Sequence, residues 1–222
     1  SNLGLSSKIM GKFVDSLNKI RPNVKSIVVY ASIDTVGRQA EYIRNGLDEE
    51  QFFSNLETLI RETDGRVVTS LMITVNALSI FNLKGLMQKI EALRMKYPKA
   101  VIGFDTPYLR NPEHLTLHIL PPEMAVYIQE AVRYLKESDY FSQRQVHRLE
   151  RLLSLMKDNP WGKSKTRRLR EDFYKFIKEH DARRKTDFLK TFPELEDFWN
   201  EIEANLSKLS WRKITEFIRP TL

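Results

Sequence analysis

The 222-residue sequence predicts an α/β fold with a mainly parallel sheet, followed by a C-terminal helical appendage. Short apolar, β-prone runs alternate with amphipathic helical stretches along the first two thirds of the chain, and this alternation is typical of βα units. The last third shows helical periodicity alone. Because 41% of the residues are hydrophobic and 29% are charged, the composition is that of a folded chain with a sizeable core.

The first predicted elements are a helix and a strand near the N-terminus. Apolar residues at helical spacing predict a helix over 5–20, which Pro22 and Asn23 end. The nearly unbroken β-prone run 26–31 follows. Such a run favours a strand that is buried on both faces of a parallel sheet.

Two further βα units follow the first strand. Asp48, with Gln51 three residues later, predicts the N-cap of a helix, and Asn82 predicts the cap of the next one. We predict parallel strands at 26–32, 67–75 and 100–104, with helices at 48–62 and 82–96 between them. Crossovers between parallel strands are right-handed, so these helices belong on one outer face.

The rest of the chain adds one more strand and several helices. After a loop over 106–112, we predict a short strand at 115–119 and a helix that Pro121 and Pro122 open. Further helices are predicted near 142–157, 165–180 and 194–205. We therefore divide the chain into a sheet domain, 1–138, and a helical appendage, 139–222.

The absence of cysteine excludes several kinds of site from this chain. Disulfides, thiolate nucleophiles, cysteine zinc sites and cysteine-ligated iron-sulfur clusters all need a residue that the sequence lacks. No run approaches the roughly 18 apolar residues that span a bilayer, and the N-terminal stretch lacks the apolar segment of a signal peptide. We therefore expect a cytoplasmic protein with no membrane partner.

Polar residues follow each predicted strand. Ser32 and Asp34 end the first strand on one face ahead of Gly37, Asn76 ends the second strand, and Asp105 ends the third. In parallel α/β folds ligands bind outside the carboxyl ends of the strands, so these residues are candidates for a site. The alternative is that they only begin turns and cap helices.

A family resemblance is carried by two adjacent runs, SIDTVG at 32–37 and AEYIRNGLD at 40–48. They resemble the middle of radical S-adenosylmethionine enzymes, especially the twitch/SPASM-type subgroup. In that family a strand that ends in Ser-x-Asp precedes a helix with an arginine, as in SxDGxxxxxxxxR. The spacing from Ser32 to Arg44 fits this pattern, and Thr35 stands where the family often has glycine.

The resemblance covers nearly the whole chain and implies both a fold and a function. Residues 1–138 are similar to the C-terminal half of a partial (β/α)6 barrel, and 170–195 are similar to the helical tail of phage and bacterial members. The resemblance implies that the complete protein cleaves S-adenosylmethionine reductively beside a 4Fe-4S cluster and abstracts hydrogen from an unknown substrate. The CxxxCxxC loop that holds this cluster is not possible in a cysteine-free chain, so we expect the chain to be inactive alone.

The same resemblance assigns roles to four residues and implies an exposed surface at the edge of the barrel. It places Ser32 and Arg44 at the methionine carboxylate, Asp34 in a polar contact nearby, and Asn76 at the ribose hydroxyls. For Arg44 the alternative is a surface position beside Glu41. Because the strands that would close the barrel are missing, we also expect an exposed barrel edge and self-association through it.

A second function hypothesis starts from the net charge of +7, which allows a non-catalytic basic α/β module for nucleic acid or an acidic partner. The densest basic run is Lys163–Arg170, and the thin spread of the other charges favours a solvated helix start for it. The remaining polar residues carry weaker signals. We expect His114 and His118 on a strand, His180 facing solvent, and an exposed ion-pair set at 181–187.

Overall fold

The computed structural model describes residues 3–218 and the side chains of residues 3–208. The strands in this range are β1 Val28–Ser32, β2 Val68–Met72 and β3 Ile102–Asp105. The α-helices are α1 Ser7–Ile20, α2 Arg38–Ile43, α3 Glu49–Glu62, α4 Leu83–Lys96, α5 Ala125–Glu137, α6 Gln143–Lys157, α7 Lys163–Arg184, α8 Phe188–Thr191 and α9 Glu196–Ile218. The outermost parts of the two predicted domains, 1–2 and 219–222, lie outside the described residues.

The three strands form one parallel sheet in the order β1-β2-β3. Val28 lies opposite Val68, and Ser70 lies opposite Gly103. The predicted order and direction of the strands are therefore confirmed, although each strand is shorter than its predicted range. Beyond the ladder, Val75 and Tyr108 form an isolated parallel bridge, which keeps the segments that leave β2 and β3 side by side.

One face of the sheet is buried and the other is partly open. Ala31, Leu71 and Phe104 are at most 2% exposed, in a core that they share with the apolar stripes of α3 and α4. On the other face, Val28 is 42% exposed and Tyr30 is 57% exposed. The prediction that the first strand is buried on both faces is therefore wrong, because these two side chains reach solvent where a second layer would have to cover them.

Helices α3 and α4 begin where the sequence predicted. The carboxylate of Asp48 accepts a hydrogen bond of 2.8 Å from the N–H of Gln51, which confirms this cap. Asn82 stands at the N-cap of α4, but its side chain makes no capping bond and instead donates to the carbonyl of Val36 at 3.4 Å. Gly85 in α4 allows this approach, because a Cβ there would lie 3.1 Å from the Val36 side chain.

The predicted strand at 115–119 is wrong. This stretch forms two 3-10 turns, Glu113–Leu115 and Leu117–Ile119. Thr116 bonds back to its own turn: both its N–H and its hydroxyl donate to the carbonyl of Glu113, at 3.2 and 2.9 Å. Such local bonds compete with a sheet ladder. His114 and His118 therefore do not lie on a strand.

The helices of the last third share the apolar core of the sheet part. Phe104 and Phe141 lie in edge contact at 6.1 Å between ring centroids, as do Phe81 and Phe192. The core is thus continuous across residue 138. The division into a sheet domain and an appendage stays a prediction. Along the described residues, none of the helices has the length and hydrophobicity needed to cross a membrane.

Candidate functional site

The candidate site begins just beyond the carboxyl end of β1. Asp34 follows the strand by two residues and is 5% exposed. The chain then turns into α2 at Gly37, whose φ of +70° is a conformation that favours glycine. The six-residue helix α2 ends at Arg44, its C-cap. The short helix thus carries Arg44 back towards the end of the strand that precedes it.

Asp34 and Arg44 form a two-point ion pair. The Nε of Arg44 donates to one carboxylate oxygen of Asp34 at 2.7 Å, and the Nη2 donates to the other oxygen at 2.9 Å. Arg44 does not pair with Glu41, which was the alternative. A carboxylate oxygen of Glu41 instead accepts the N–H of Glu49 at 3.5 Å. Two-point pairs of this kind fix the orientation of a guanidinium as well as its position.

The ion pair uses only one side of the Arg44 guanidinium. Asp34 takes the fork formed by Nε and Nη2, so the second fork, formed by Nη1 and Nη2, faces away from Asp34. Among the described residues, Nη1 and the second hydrogen of Nη2 make no hydrogen bond, and the Arg44 side chain is 29% exposed. A guanidinium held in this way can accept a further carboxylate or phosphate by two parallel hydrogen bonds.

The loop after β2 connects to the same pair through Thr74. The N–H of Thr74 donates to Asp34 at 3.1 Å, and the carbonyl of Thr74 accepts from the side-chain amide of Asn76 at 3.1 Å. The amide oxygen of Asn76 also accepts the N–H of Leu78 at 2.9 Å. Asn76 therefore begins a turn, as the alternative interpretation expected, and at the same time lies next to the ion pair.

Ser32 stands apart from this network. It is the last residue of β1, lies opposite Met72 and is partly buried. It makes no hydrogen bond to Asp34, Arg44 or Asn76 in the described chain. The structure thus connects three of the four candidate residues and places the fourth, Ser32, on β1 two residues before Asp34, outside this network.

The end of β3 carries a second acid–arginine pair, which the sequence did not reveal. Asp105 is 3.2 Å from Arg148 of α6, and the same guanidinium donates to the carbonyl of Phe104 at 3.0 Å. Asp105 was a candidate from its place after a strand. Arg148 gave no signal, because only the folded chain brings α6 against this strand.

A second polar network, which we name the Tyr42 cluster, lies behind α2. It consists of Tyr42 from α2 and of His180, Asp181, Arg184 and Thr186 at the end of α7. The hydroxyls of Tyr42 and Thr186 both donate to one oxygen of Asp181 at 2.7 Å. Side-chain exposure is 14% for His180 and 23% for Asp181. The expectations that His180 faces solvent and that Asp181 belongs to an exposed ion-pair set are therefore wrong.

Protonation in the Tyr42 cluster follows from burial and from its hydrogen bonds. Burial, and then the bond to Asp181, raises the pKa of Tyr42. Burial alone would raise the pKa of Asp181, but hydrogen bonds from Thr186, Tyr42 and a backbone N–H outweigh it and hold this pKa below its usual value. Burial, and then the charge of Arg184, lowers the pKa of His180. Arg184 also donates to the Nε2 of His180 at 2.7 Å, so this nitrogen accepts and the ring is neutral.

The basic run Lys163–Arg170 borders a cleft of about 380 Å³. Its walls combine cations, amides, acids and one large aromatic side chain. The residues that line it are Asn159, Trp161, Lys163, Thr166, Arg167, Arg170, Glu171, Glu201, Ile202 and Asn205. Part of the positive charge is neutralised locally, since Arg167 lies 3.2 Å from Glu171 and Arg170 lies 3.6 Å from Glu201.

The described part of the chain contains no preformed metal site. No group of three or more His, Asp or Glu side chains there could hold a metal ion. His114 packs against Phe176, and His118 packs against Trp161, each with ring centroids 5.2 Å apart. A cysteine-free chain also does not fit a 4Fe-4S cluster.

Comparisons of this chain with models of known families, with curated proteins and with solved structures find no match.

Proposed function

We propose that this chain is the C-terminal portion of a radical S-adenosylmethionine enzyme and that it holds the methionine end of the cofactor. The observation that carries the proposal is the Asp34–Arg44 pair at the carboxyl end of a parallel strand. Ligands of parallel α/β folds bind at this edge of the sheet. The runs that resemble the family contain both residues of the pair.

The one-sided burial of the sheet supports a partial (β/α)6 barrel. A doubly wound sheet is covered by helices on both faces. In a barrel, helices cover only the outer face, and the inner face meets the other strands. Here the face with Ala31 and Leu71 is buried by helices, whereas Val28 and Tyr30 are exposed on the other. This face is the one that the strands of a complete barrel would enclose.

The residues at the strand ends fit the methionine end of the cofactor. In the proposal, Asp34 orients the guanidinium of Arg44, and the second fork of Arg44 binds the methionine carboxylate. Ser32 lies at the end of β1, two residues before Asp34, and supplies a hydroxyl. Asn76 is 8% exposed and keeps one amide hydrogen beyond its turn for the ribose hydroxyls. The chemistry that the bound cofactor supplies in the complete protein is its own reductive cleavage and hydrogen abstraction from a substrate.

Calorimetric titration of the chain with S-adenosylmethionine tests the proposal. We expect weak binding, because this chain holds no iron to chelate the amino and carboxylate groups. Arg44→Ala should lower the affinity about tenfold or more, and Arg44→Lys should lower it less, since lysine offers charge without a fork.

The matched control is Arg66→Ala. Arg66 makes a similar two-bond pair with Asp64 just ahead of β2, at the opposite edge of the sheet. Its loss should leave the affinity unchanged. Either the absence of binding by the folded chain or binding that Arg44→Ala does not weaken would overturn the proposal.

The cleft beside Lys163–Arg170 favours a second candidate, a surface for single-stranded nucleic acid. Lysine and arginine side chains border an aromatic side chain there, which is the combination that binds phosphates and stacks bases. The ammonium of Lys165 lies 4.8 Å from the ring centre of Trp161. The carboxylates of Glu171 and Glu201 in the same cleft oppose this function.

Fluorescence anisotropy with a labelled oligothymidylate decides the second candidate. If the cleft binds nucleic acid, affinity should fall steeply between about 50 and about 200 mM salt. Lys163→Glu should abolish binding, whereas Arg183→Glu, on an exposed position at the other end of α7, should not. Binding that is independent of salt, or equal losses in the two variants, would rule out the cleft.

A further inference from the structure

We infer that Arg184 and Asp181 of the C-terminal helices are positioning residues that hold α2 and thereby orient Arg44. The inference rests on the proposed function for its importance to the cofactor. Its geometric content, that the end of α7 fixes the direction of the Arg44 side chain, can be tested without any ligand.

The helix α2 is too short to be stable alone. It has six residues, whereas isolated helices below about 12–15 residues are marginal in water. Its last carbonyl groups need partners from outside the helix. Arg184 supplies two of these partners: its Nη1 donates to the carbonyl of Tyr42 at 2.7 Å, and its Nη2 donates to the carbonyl of Glu41 at 3.1 Å. A guanidinium from α7 thus caps the C-terminal end of α2.

The side chain of Tyr42 ties the same helix end to α7 a second time. Tyr42 is 4% exposed, and its hydroxyl donates to Asp181 at 2.7 Å. The carboxylate of Asp181 is itself fixed in position, because its other oxygen accepts the N–H of Phe188 at 2.8 Å. The Tyr42 ring also packs on His180, with 4.4 Å between centroids. Rotation of α2 would break all of these contacts together.

The opposite end of α2 is fixed within the sheet part. The N–H of Gly37 donates to a carboxylate oxygen of Glu49 at 2.7 Å. With both ends held, the C-cap residue Arg44 has a defined starting direction, and its own N–H bonds to the carbonyl of Ala40 at 2.9 Å. Loss of the Arg184 contacts would leave this end of α2 tied to α7 through the Tyr42 side chain alone. The Arg44 guanidinium would then lose its alignment with Asp34.

The test is the ¹H–¹⁵N NMR signal of the Arg44 Nε–H, assigned by its loss in Arg44→Lys. In the wild type, the bond to Asp34 protects this hydrogen from solvent exchange. In Arg184→Ala the measured rate at which this hydrogen exchanges with solvent should rise about tenfold or more. The Nε–H of Arg94 is an internal control, because it bonds to the carbonyl of Ile102 at 2.9 Å, away from α2.

Three variants separate positioning from general stability. Tyr42→Phe removes a single hydroxyl and should speed exchange of the Arg44 signal less than Arg184→Ala does. Arg184→Lys should recover part of the protection, because one ammonium can reach one carbonyl. Arg183→Ala removes a neighbouring arginine that is 76% exposed and bonds to Glu179, so it should leave the Arg44 signal unchanged.

The outcomes distinguish a failure of the inference from a failure of the proposed function. An unchanged Arg44 signal in folded Arg184→Ala and Tyr42→Phe overturns the inference, whatever the chain binds. A wild type that does not bind S-adenosylmethionine overturns the proposed function, yet the NMR result still decides the inference. If both hold, Arg184→Ala should also weaken cofactor binding about tenfold, as Arg44→Ala does. Equal acceleration of the Arg44 and Arg94 signals would show general loosening and count against positioning.

Discussion

Replacement of Asp34 by alanine should destabilise the fold through three hydrogen bonds lost at once. The carboxylate is 5% exposed and accepts from the Nε of Arg44 at 2.7 Å, from its Nη2 at 2.9 Å, and from the N–H of Thr74 at 3.1 Å. Alanine leaves the N–H of Thr74 without its acceptor and Arg44 without its counter-charge.

The magnitude follows from how deeply each partner is buried. Breaking a fully buried ion pair costs about 3–5 kcal/mol, but the Arg44 side chain is 29% exposed, so water can solvate part of it. An unsatisfied N–H adds about 1–3 kcal/mol where water cannot reach it. We therefore expect Asp34→Ala to lower the free energy of unfolding by about 2–4 kcal/mol. Asp34→Asn keeps one acceptor and should cost about 1–2 kcal/mol.

Urea unfolding at neutral pH, followed by circular dichroism, measures both losses from the shift in midpoint at constant slope. Asp64→Asn is the control, because Asp64 also pairs with an arginine, Arg66, but its side chain is 73% exposed, and asparagine suits the φ of +54° at this position. Surface pairs contribute little, so this midpoint should stay where it is in the wild type. If Asp34→Ala behaves like Asp64→Asn, the pair at the strand end is not the anchor that the structure describes.

Three further predictions concern pH, packing and association. Burial lowers the pKa of His114, His118 and His180 below the ordinary 6.5. As the pH falls through 6.5, the unfolded chain binds protons before the folded chain does, so the free energy of unfolding should be lower at about pH 5.5 than at about pH 7.5. His180→Gln should reduce this difference. A free energy of unfolding that does not change over this range would contradict the prediction. Gly11→Ala in α1, where a Cβ meets nothing within 4 Å, should stabilise the fold by about 0.5–1 kcal/mol. Gly85→Ala should not, because its Cβ would lie 2.3 Å from the Asn82 side chain. Equal shifts of the thermal unfolding midpoint for the two variants would refute this prediction. Exposed Val28 on the edge strand β1 should promote self-association, which Val28→Lys should reduce; light scattering that shows a monomer at every concentration would count against an open barrel edge.

Local sequence patterns predict the sheet and the main helix starts well. The Asp48 cap depends on residues within one helical turn, and the strand order follows from the tendency of consecutive βα units to pair side by side; both are found as predicted. The stretch 115–119 shows where this reasoning ends. Its residues suit a strand, but Thr116 can satisfy its own turn, and the choice between the two depends on bonds that no pattern records.

Two adjacent arginines show why the site could be predicted only in part. Arg183 pairs with Glu179 four residues earlier, as helix geometry suggests from the sequence alone. Arg184 instead caps a helix 142 residues earlier in the chain. The pairing of Arg44 with Asp34 lies between these extremes. Both residues were candidates, but their mutual bond depends on the turn of α2 and not on a fixed spacing.

The cap that Arg184 places on α2 also sets an order of events during synthesis. A ribosome that adds about 5–20 residues per second needs roughly 7–30 s to travel from Tyr42 to Arg184. During that interval β1 and most of α2 have been synthesised, but neither Arg184 nor the aromatic partner Phe188 exists. The contacts that hold the segment with Arg44 can therefore form only after the end of α7 has been synthesised. A chain cut short before α7 would retain β1, β2 and β3 but would lack the contacts of Arg184 and Asp181 with α2.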